Sequence, residues 1–298
     1  FKYISNEDVV NNYKMEDVVN AVDQAYAKLF NKKIVVPQRV FTPTIDGGDY
    51  LYGAATNLDT QRFLVLGSAF MPWNKPAVRG NYMLSSFRTG DLLAIVDGLE
   101  IANIRTGAKS AVAVKYLAKE SAETLGLIGL GKQMQTQVEA IVKVRNIKRI
   151  VAYTRSPENH KETIEYIRNR TGLEVEIAQD IQFVVNESEI IVTSTYSKEP
   201  LITYSDLKPG QLVISTAHSE EVSRDLVTNC KTFADYLTSA KKENAPIKLA
   251  LGEDFEDSRI AGDLTQLAAG NIKGRESDNE IIYFQSLGVM HENLAFVE

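Results

Sequence analysis

Between Met15 and Phe30 the apolar residues Val18, Val19, Val22, Ala25, Tyr26 and Leu29 recur at helical spacing, which predicts an amphipathic helix. Just before it, "SNEDVV" opens with a capping-box pattern from Ser5 to Asp8. After Pro37 the period shortens. "YLYGAATNL", "RFLVLGSAFM", "NYMLSSF" and "DLLAIVDG" are short, aromatic and aliphatic, and are separated by turn residues, as strands are. The last two flank Arg88-Thr89-Gly90, which predicts a hairpin and an antiparallel sheet.

From about Ile101 the rhythm changes. "IRTGAKSAVAVKYLAKE" is alanine-rich and helical. Short apolar strands then alternate with helices through "TLGLIGL", the helix from Lys132, "KRIVAYT", the helix after Ser156-Pro157, "LEVEI", "IQFVVNES", "EIIVTST" and "QLVIST". That alternation implies a parallel sheet covered on both faces. Ser156 before Pro157 reads as a cap followed by the first helical position. The expected fold is α/β: a Rossmann-type doubly wound parallel sheet plus an α+β domain with a largely antiparallel sheet. No Gly/Ser-rich or Pro-rich linker separates the halves, so the Ile101 helix itself is expected to join them.

Composition narrows the partners. A chain of 298 residues can form one large or two ordinary domains, and 44% hydrophobic with 24% charged residues is the balance of a soluble globular protein. A net charge of −6 argues against nucleic acid, which needs a basic face. The single cysteine, Cys230, excludes an internal disulfide framework, fits a reducing cytoplasm and reads as core rather than nucleophile. No apolar run approaches the roughly 18 residues of a membrane span. No signal peptide is visible, although the chain starts at Phe1 and a processed start stays open. The histidines are scattered, which predicts no metal site, and His160, in a polar helix, is read as surface.

The chemistry starts at "TLGLIGLGKQMQTQVEAI". A strand runs into Gly126, Gly129 and Gly131, and a helix follows. Gly129 and Gly131 fit the close pair of a dinucleotide fingerprint, where backbone N–H groups and a helix N-terminus face a pyrophosphate. The position of the third small residue is Met134, so the helix is expected slightly farther from the sheet. The next strand ends near Tyr153 and continues Thr154, Arg155, Ser156. An NAD-selective site places a carboxylate there for the ribose hydroxyls, and here none occurs before Glu158. An arginine and hydroxyls suit a 2′-phosphate instead, so NADP is expected, with NAD as the alternative.

Several segments together resemble the ornithine cyclodeaminase/mu-crystallin family: "VPQRVF", "TGDLLAIVDGLEIANIRTGAKSAVAVKYLA", "LGLIGLGKQMQTQ", "EIIVTST", "LKPGQLVIS" and "KGRESDNEIIYFQSLGV". The resemblance covers nearly the whole chain. It implies a homodimer whose subunits each hold a Rossmann domain, 106–282, and a substrate-binding and dimerisation domain, 1–105 with 283–298. It also implies hydride transfer between a nicotinamide and the α-carbon of a small amino or imino acid.

Carried over residue by residue, Arg39 and Arg105 match positions that bind substrate carboxylate, a role the guanidinium fork suits. Thr106 and Gly107 match a stretch approaching the cofactor, as do Gly129, Gly131, Lys132, Gln133 and Met134 of the loop. Thr193, Ser194 and Thr195 pass the nicotinamide ribose, and Ser286, Leu287 and Gly288 match a late loop near the nicotinamide. Two departures stand out. The family's substrate lysine falls at Ser68 or Ala69, with Lys75 a few residues on. The family's acid/base aspartate falls in "VISTAHSEEVSRD", where His218 or Glu220 is nearest. His291 and Glu292 lie where relatives often carry a carboxylate.

Three functions follow from these residues. The first is an NAD(P)H-dependent amino or imino acid oxidoreductase, of ketimine or pyrroline-carboxylate reductase, alanine dehydrogenase or opine type. The second is an NAD-dependent ornithine cyclodeaminase, against which the missing lysine and aspartate count. The third is a catalytically silent NADP-binding protein of mu-crystallin type.

Overall fold

After strand β1 (Lys2–Ile4), the capping box forms as its spacing predicts: Asp8 N–H donates to Ser5 Oγ at 3.2 Å and Ser5 N–H to Asp8 Oδ2 at 3.0 Å, starting helix α1 (Asn6–Asn12). Helix α2 (Met15–Phe30) buries Val18, Val19, Val22, Ala25 and Tyr26, the stripe its periodicity marks. Then come β2 (Ile34–Val35), β3 (Val40–Pro43), β4 (Asp49–Asn57), β5 (Arg62–Phe70), β6 (Val78–Ser86) and β7 (Leu92–Asp97). The computed structural model describes residues 1–44, 47–75, 77–216 and 220–298. Among these, β1 to β7 form one sheet in the order β1-β7-β6-β5-β4-β2, with β3 also on β4. Every pair is antiparallel except β1 with β7. Gly90, at φ +78°, closes the β6–β7 hairpin in a left-handed conformation that glycine adopts without strain.

Helix α3 (Ile101–Leu117) opens the second half. It is followed by β8 (Thr124–Ile128), α4 (Lys132–Ile141), β9 (Arg149–Tyr153), α5 (Lys161–Thr171), β10 (Val175–Ile177), α6 (Ile181–Glu187), β11 (Ile190–Thr193) and β12 (Leu212–Ser215). Then come α7 (Arg224–Asn229), β13 (Lys231–Ala234), α8 (Leu237–Lys242), α9 (Pro246–Leu251), β14 (Gly262–Asp263), α10 (Leu264–Ala268), β15 (Ile282–Gln285) and α11 (Met290–Val297). The sheet order is β10-β9-β8-β11-β12-β15-β13-β14, and every pairing is parallel. Strands β11, β12 and β15 are buried at every position, which is why they read as unbroken apolar runs rather than alternating ones.

Two expectations need correction. The chain divides into compact units Phe1–Arg105 with Val289–Glu298, and Thr106–Gly288. The expected boundary after residue 282 falls inside β15, whose backbone pairs with β12 and β13, so the parallel-sheet unit extends six residues farther, to Gly288. Ser156 and Pro157 take the expected cap and first positions, here of a short 3₁₀ turn, Pro157–His160, although the Ser156 side chain makes no cap hydrogen bond; His160, expected at the surface, ends that turn partly buried.

Candidate active site

In the parallel-sheet unit, the switch point lies between β8 and β11, where the chain leaves one half of the sheet for the other. Ligands of open α/β sheets sit outside the carboxyl ends of the strands at this point. Gly129 follows β8 at φ +91°, and a Cβ there would lie 2.5 Å from the Ser194 carbonyl oxygen and 2.8 Å from Thr195 Cγ2. The loop therefore needs glycine for fit and for conformation. Gly131 differs: it caps α4 at φ −65°, no side chain caps that helix, and a Cβ on Gly131 would meet nothing within 4 Å. A glycine with open space above it at an uncapped helix N-terminus is a cradle for a phosphate group, so these residues fit a dinucleotide.

Met134 is fully buried. The close approach that needs a missing side chain is made elsewhere: a Cβ on Gly107 of α3 would lie 2.2 Å from the Thr136 carbonyl oxygen of α4. At the end of β9, Thr154 and Ser156 are half-buried and Arg155 is exposed, without a carboxylate beside them before Glu158.

At the end of β11, Thr193 is buried, and its hydroxyl donates to Glu221 Oε2 at 2.9 Å, while Thr195 N–H donates to Glu221 Oε1. Burial pushes the Glu221 carboxyl above its ordinary value, against the hydrogen bonds from Thr195 and Thr193. Its neighbour Glu220 faces the other way, with its side chain 41% exposed and 3.8 Å from Arg224. His218 lies outside the described residues. After β15, Ser286 is buried and its hydroxyl has no hydrogen-bond partner among the described residues. Leu287 and Gly288 N–H both donate to Asp235 Oδ2, at 2.7 and 2.6 Å.

The other unit places Arg105 in a buried network. Arg105 Nη1 donates to Glu292 Oε2 at 2.9 Å, with the Arg105 side chain 14% and the Glu292 side chain 0% exposed. Glu292 Oε1 accepts from Tyr26 Oη at 2.6 Å and from Val289 N–H at 3.1 Å. Burial works against the Arg105 charge, but the charge and hydrogen bond of Glu292, with Tyr82 and Tyr26 beside it, hold the guanidinium above its usual value. Burial pushes Tyr82 up to about 12, and its hydroxyl donates to Asn293 Oδ1 at 2.8 Å. His291 is buried with its ring edge-to-face against Tyr26, centroids 4.3 Å apart.

Gly53 on β4 lets α11 come down: a Cβ there would lie 2.5 Å from Met290 Sδ. Arg39 is half-buried beside Phe41, its guanidinium 5.6 Å from the ring centre. Ser68 Oγ donates to the Arg79 carbonyl at 3.0 Å, and Lys75 is exposed in the turn after β5. Burial pushes the Cys230 thiol up to about 12, so it is not a nucleophile near neutral pH.

Sequence reasoning missed Glu221, Asp235, Lys109 and Tyr26. Of the adjacent Glu220 and Glu221, one side chain is turned out and the other in, and only the fold decides which. Lys109 sits in "RTGAK", where a lysine reads as a solvated helix residue. Among the described residues no cluster of His, Cys, Asp and Glu could hold a metal ion, and no helix is long and apolar enough to cross a membrane.

A glycine-entered helix at the switch point of a parallel sheet, joined in one chain to a mostly antiparallel α+β unit, defines a two-unit protein of the Rossmann class. The chain belongs to the ornithine cyclodeaminase/mu-crystallin family, whose model matches residues 4–298. A Delta(1)-pyrroline-2-carboxylate reductase of Bacillus cereus is 33% identical over 221 residues, covering 72% of this chain and 68% of that protein. The structure of Thermococcus litoralis Delta(1)-pyrroline-2-carboxylate reductase in complex with NADH and L-proline matches with a TM-score of 0.94 at 28% identity, over 100% of this chain and 95% of that one. An archaeal alanine dehydrogenase dimer with bound NAD matches at 0.91 and 25% identity, over 99% and 93%.

Proposed function

We propose that the protein is an NAD(P)H-dependent oxidoreductase interconverting a small imino acid and its amino acid. The observation that carries the reading is Arg105. Its guanidinium is almost out of water, one edge is taken by Glu292, and its buried Nε–H has no hydrogen-bond partner among the described residues. A substrate carboxylate answers that unsatisfied edge, and Glu292, held from both sides, keeps the fork aimed. Arg39 is the second carboxylate-binding candidate. The bound dinucleotide supplies the hydride. Gly129 and Gly131 shape the loop that takes its pyrophosphate, and Thr193, Ser194 and Thr195 line the far side of the switch point.

The nitrogen proton falls to the segment holding His218, Glu220 and Glu221. Burial raises the Glu221 carboxyl, the direction a proton donor near neutral pH requires. Ser68 or Ala69 falls where the family's lysine is expected; neither carries an amine, and the Ser68 hydroxyl is turned to the Arg79 carbonyl, so polarising the substrate rests on the arginines. Thr154, Arg155 and Ser156 support NADP. The alternative is NAD, favoured by the NADH and NAD bound in the two solved relatives.

The protein acts as a homodimer in this reading. On the sheet face away from α2 and α11, Tyr3, Ile95, Met83, Val65 and Ala54 are paired neighbours in a continuous apolar row across five strands. Tyr3 is 63% and Met83 43% exposed, a face that a second copy covers.

The test is titration with NADPH and NADH, then turnover of cyclic imino acids and of 2-oxo acids with amines. Reduction of an imino acid supports the reading. Tight cofactor binding without turnover points to a silent binding protein, and ammonia release from ornithine with catalytic NAD points to a cyclodeaminase. Arg105→Ala should raise the substrate KM and leave cofactor affinity unchanged.

A further inference from the structure

In the parallel-sheet unit, Lys109 and Asp235 are both fully buried, with Nζ and Oδ2 2.8 Å apart. A buried ion pair is costly to assemble and weak as a source of net stability, so its presence asks for another reason. The remaining bonds of Asp235 give one. Its Oδ2 also accepts from Leu287 N–H at 2.7 Å and Gly288 N–H at 2.6 Å, and its Oδ1 from Tyr236 N–H at 2.8 Å. One carboxylate thus gathers a helix cation and three backbone amides. Burial alone would raise this carboxyl, but the Lys109 charge and the amides of Gly288 and Leu287 outweigh it and hold it ionised.

The two amides of the 287–288 segment follow β15 directly. In a doubly wound sheet each half takes one mononucleotide at its carboxyl edge. The glycine loop after β8 belongs to the half β8-β9-β10, which takes the adenosine phosphate end. Strands β11, β12, β15, β13 and β14 form the other half, whose carboxyl edge is the place for the nicotinamide mononucleotide. Gly288 sits there at φ +97°, a conformation open to glycine but not to other residues without strain, and its N–H is fixed by the Asp235 carboxylate.

We propose that Lys109 and Asp235 are positioning residues that lock Leu287 and Gly288 into the wall of the nicotinamide seat. This rests on the nicotinamide reading above. Both side chains are wholly out of water. They act through the segment they hold.

The experiment compares the wild type with Asp235→Asn and with the charge-free pair Lys109→Met/Asp235→Asn, which keeps the test open where the single variant leaves the buried Lys109 charge without this carboxylate and fails to fold. The affinity of each for NADH and NADPH is set against that for ADP-ribose or its 2′-phosphate, which lack nicotinamide. The gain in affinity due to nicotinamide should collapse in the folded variants while ADP-ribose binding stays. With a turned-over imino acid, kcat should fall by about 100-fold, as small misplacements of reacting groups do, with KM little changed. A variant that folds and keeps the full nicotinamide gain overturns the proposal, and so does one that loses ADP-ribose binding equally. If the wild type itself gains nothing from nicotinamide, the cofactor reading fails, and that outcome is separate from the others.

Discussion

Alanine at Gly129 and alanine at Gly131 should have opposite consequences, although the two positions are two residues apart. At Gly129 the backbone has φ +91°, and the added Cβ would stand 2.5 Å from the Ser194 carbonyl oxygen. The left-handed conformation costs an L-residue about 1–2 kcal/mol, and the clash with backbone adds a strain of about 1–3 kcal/mol. Together these give about 2–5 kcal/mol. For a unit of this size each kcal/mol lowers Tm by roughly 2–4 °C, so Gly129→Ala should melt about 4–20 °C below wild type. At Gly131 the φ of −65° suits any residue and the Cβ meets nothing.

Alanine caps a helix worse than glycine by up to about 1 kcal/mol, but it restricts the unfolded chain by about 0.4–1 kcal/mol, so the two terms nearly cancel. Gly131→Ala should therefore melt like wild type and bind dinucleotide poorly, because its methyl group fills the phosphate cradle. The assay is a thermal melt without cofactor beside a fluorescence titration with NADPH and NADH. Undiminished affinity in Gly131→Ala would falsify the cradle. An unchanged melt of Gly129→Ala would show that the loop does not take this path.

Other consequences can be checked in the same way. Glu292→Ala leaves the Arg105 charge almost buried and unpaired, a loss of about 3–5 kcal/mol read by denaturant unfolding. Tyr26→Phe removes one hydrogen bond to that carboxylate and should cost about 1.5–3 kcal/mol. The folded-state Glu221 carboxyl is raised above the free value of 4.5, so the folded chain holds this proton more readily than the unfolded one. Its destabilising contribution therefore appears as pH rises through 4.5 and is complete above the raised value. Glu221→Gln should lose less stability than wild type over that rise, and an identical pH profile for the two proteins would refute the shift. Met83→Asp, on the exposed apolar row, should convert a dimer into monomers by light scattering. Arg155→Asp should move cofactor preference from NADPH toward NADH.

Much of this molecule was legible along the chain because the forces concerned are local or periodic. The stripe of α2, the capping box at Ser5, the β6–β7 turn at Gly90 and the unbroken apolar strands of the parallel sheet all follow from spacing. The glycine loop was legible too, because only glycine reaches φ +91° against a neighbouring backbone. The boundary at 282 was misjudged because "IIYFQ" is an apolar strand either way, and only its pairing with β12 and β13 assigns it to the parallel sheet. Ser156-Pro157 carried the signature of a cap, but a serine preceding a 3₁₀ turn need not make the bond.

Tertiary structure alone decided the polar chemistry. Arg105 and Glu292 stand 187 residues apart, and Lys109 and Asp235 126 apart, so nothing in the local pattern could pair them. Which of Glu220 and Glu221 turns inward depends on how the stretch after β12 meets the end of β11. The sequence by itself determined the elements and the glycine loop after β8, because hydrophobic period and backbone sterics act over a few residues. The fold decided which charges meet out of water, because the free energy of a buried carboxylate depends on partners that only the completed sheets and helices bring within 3 Å.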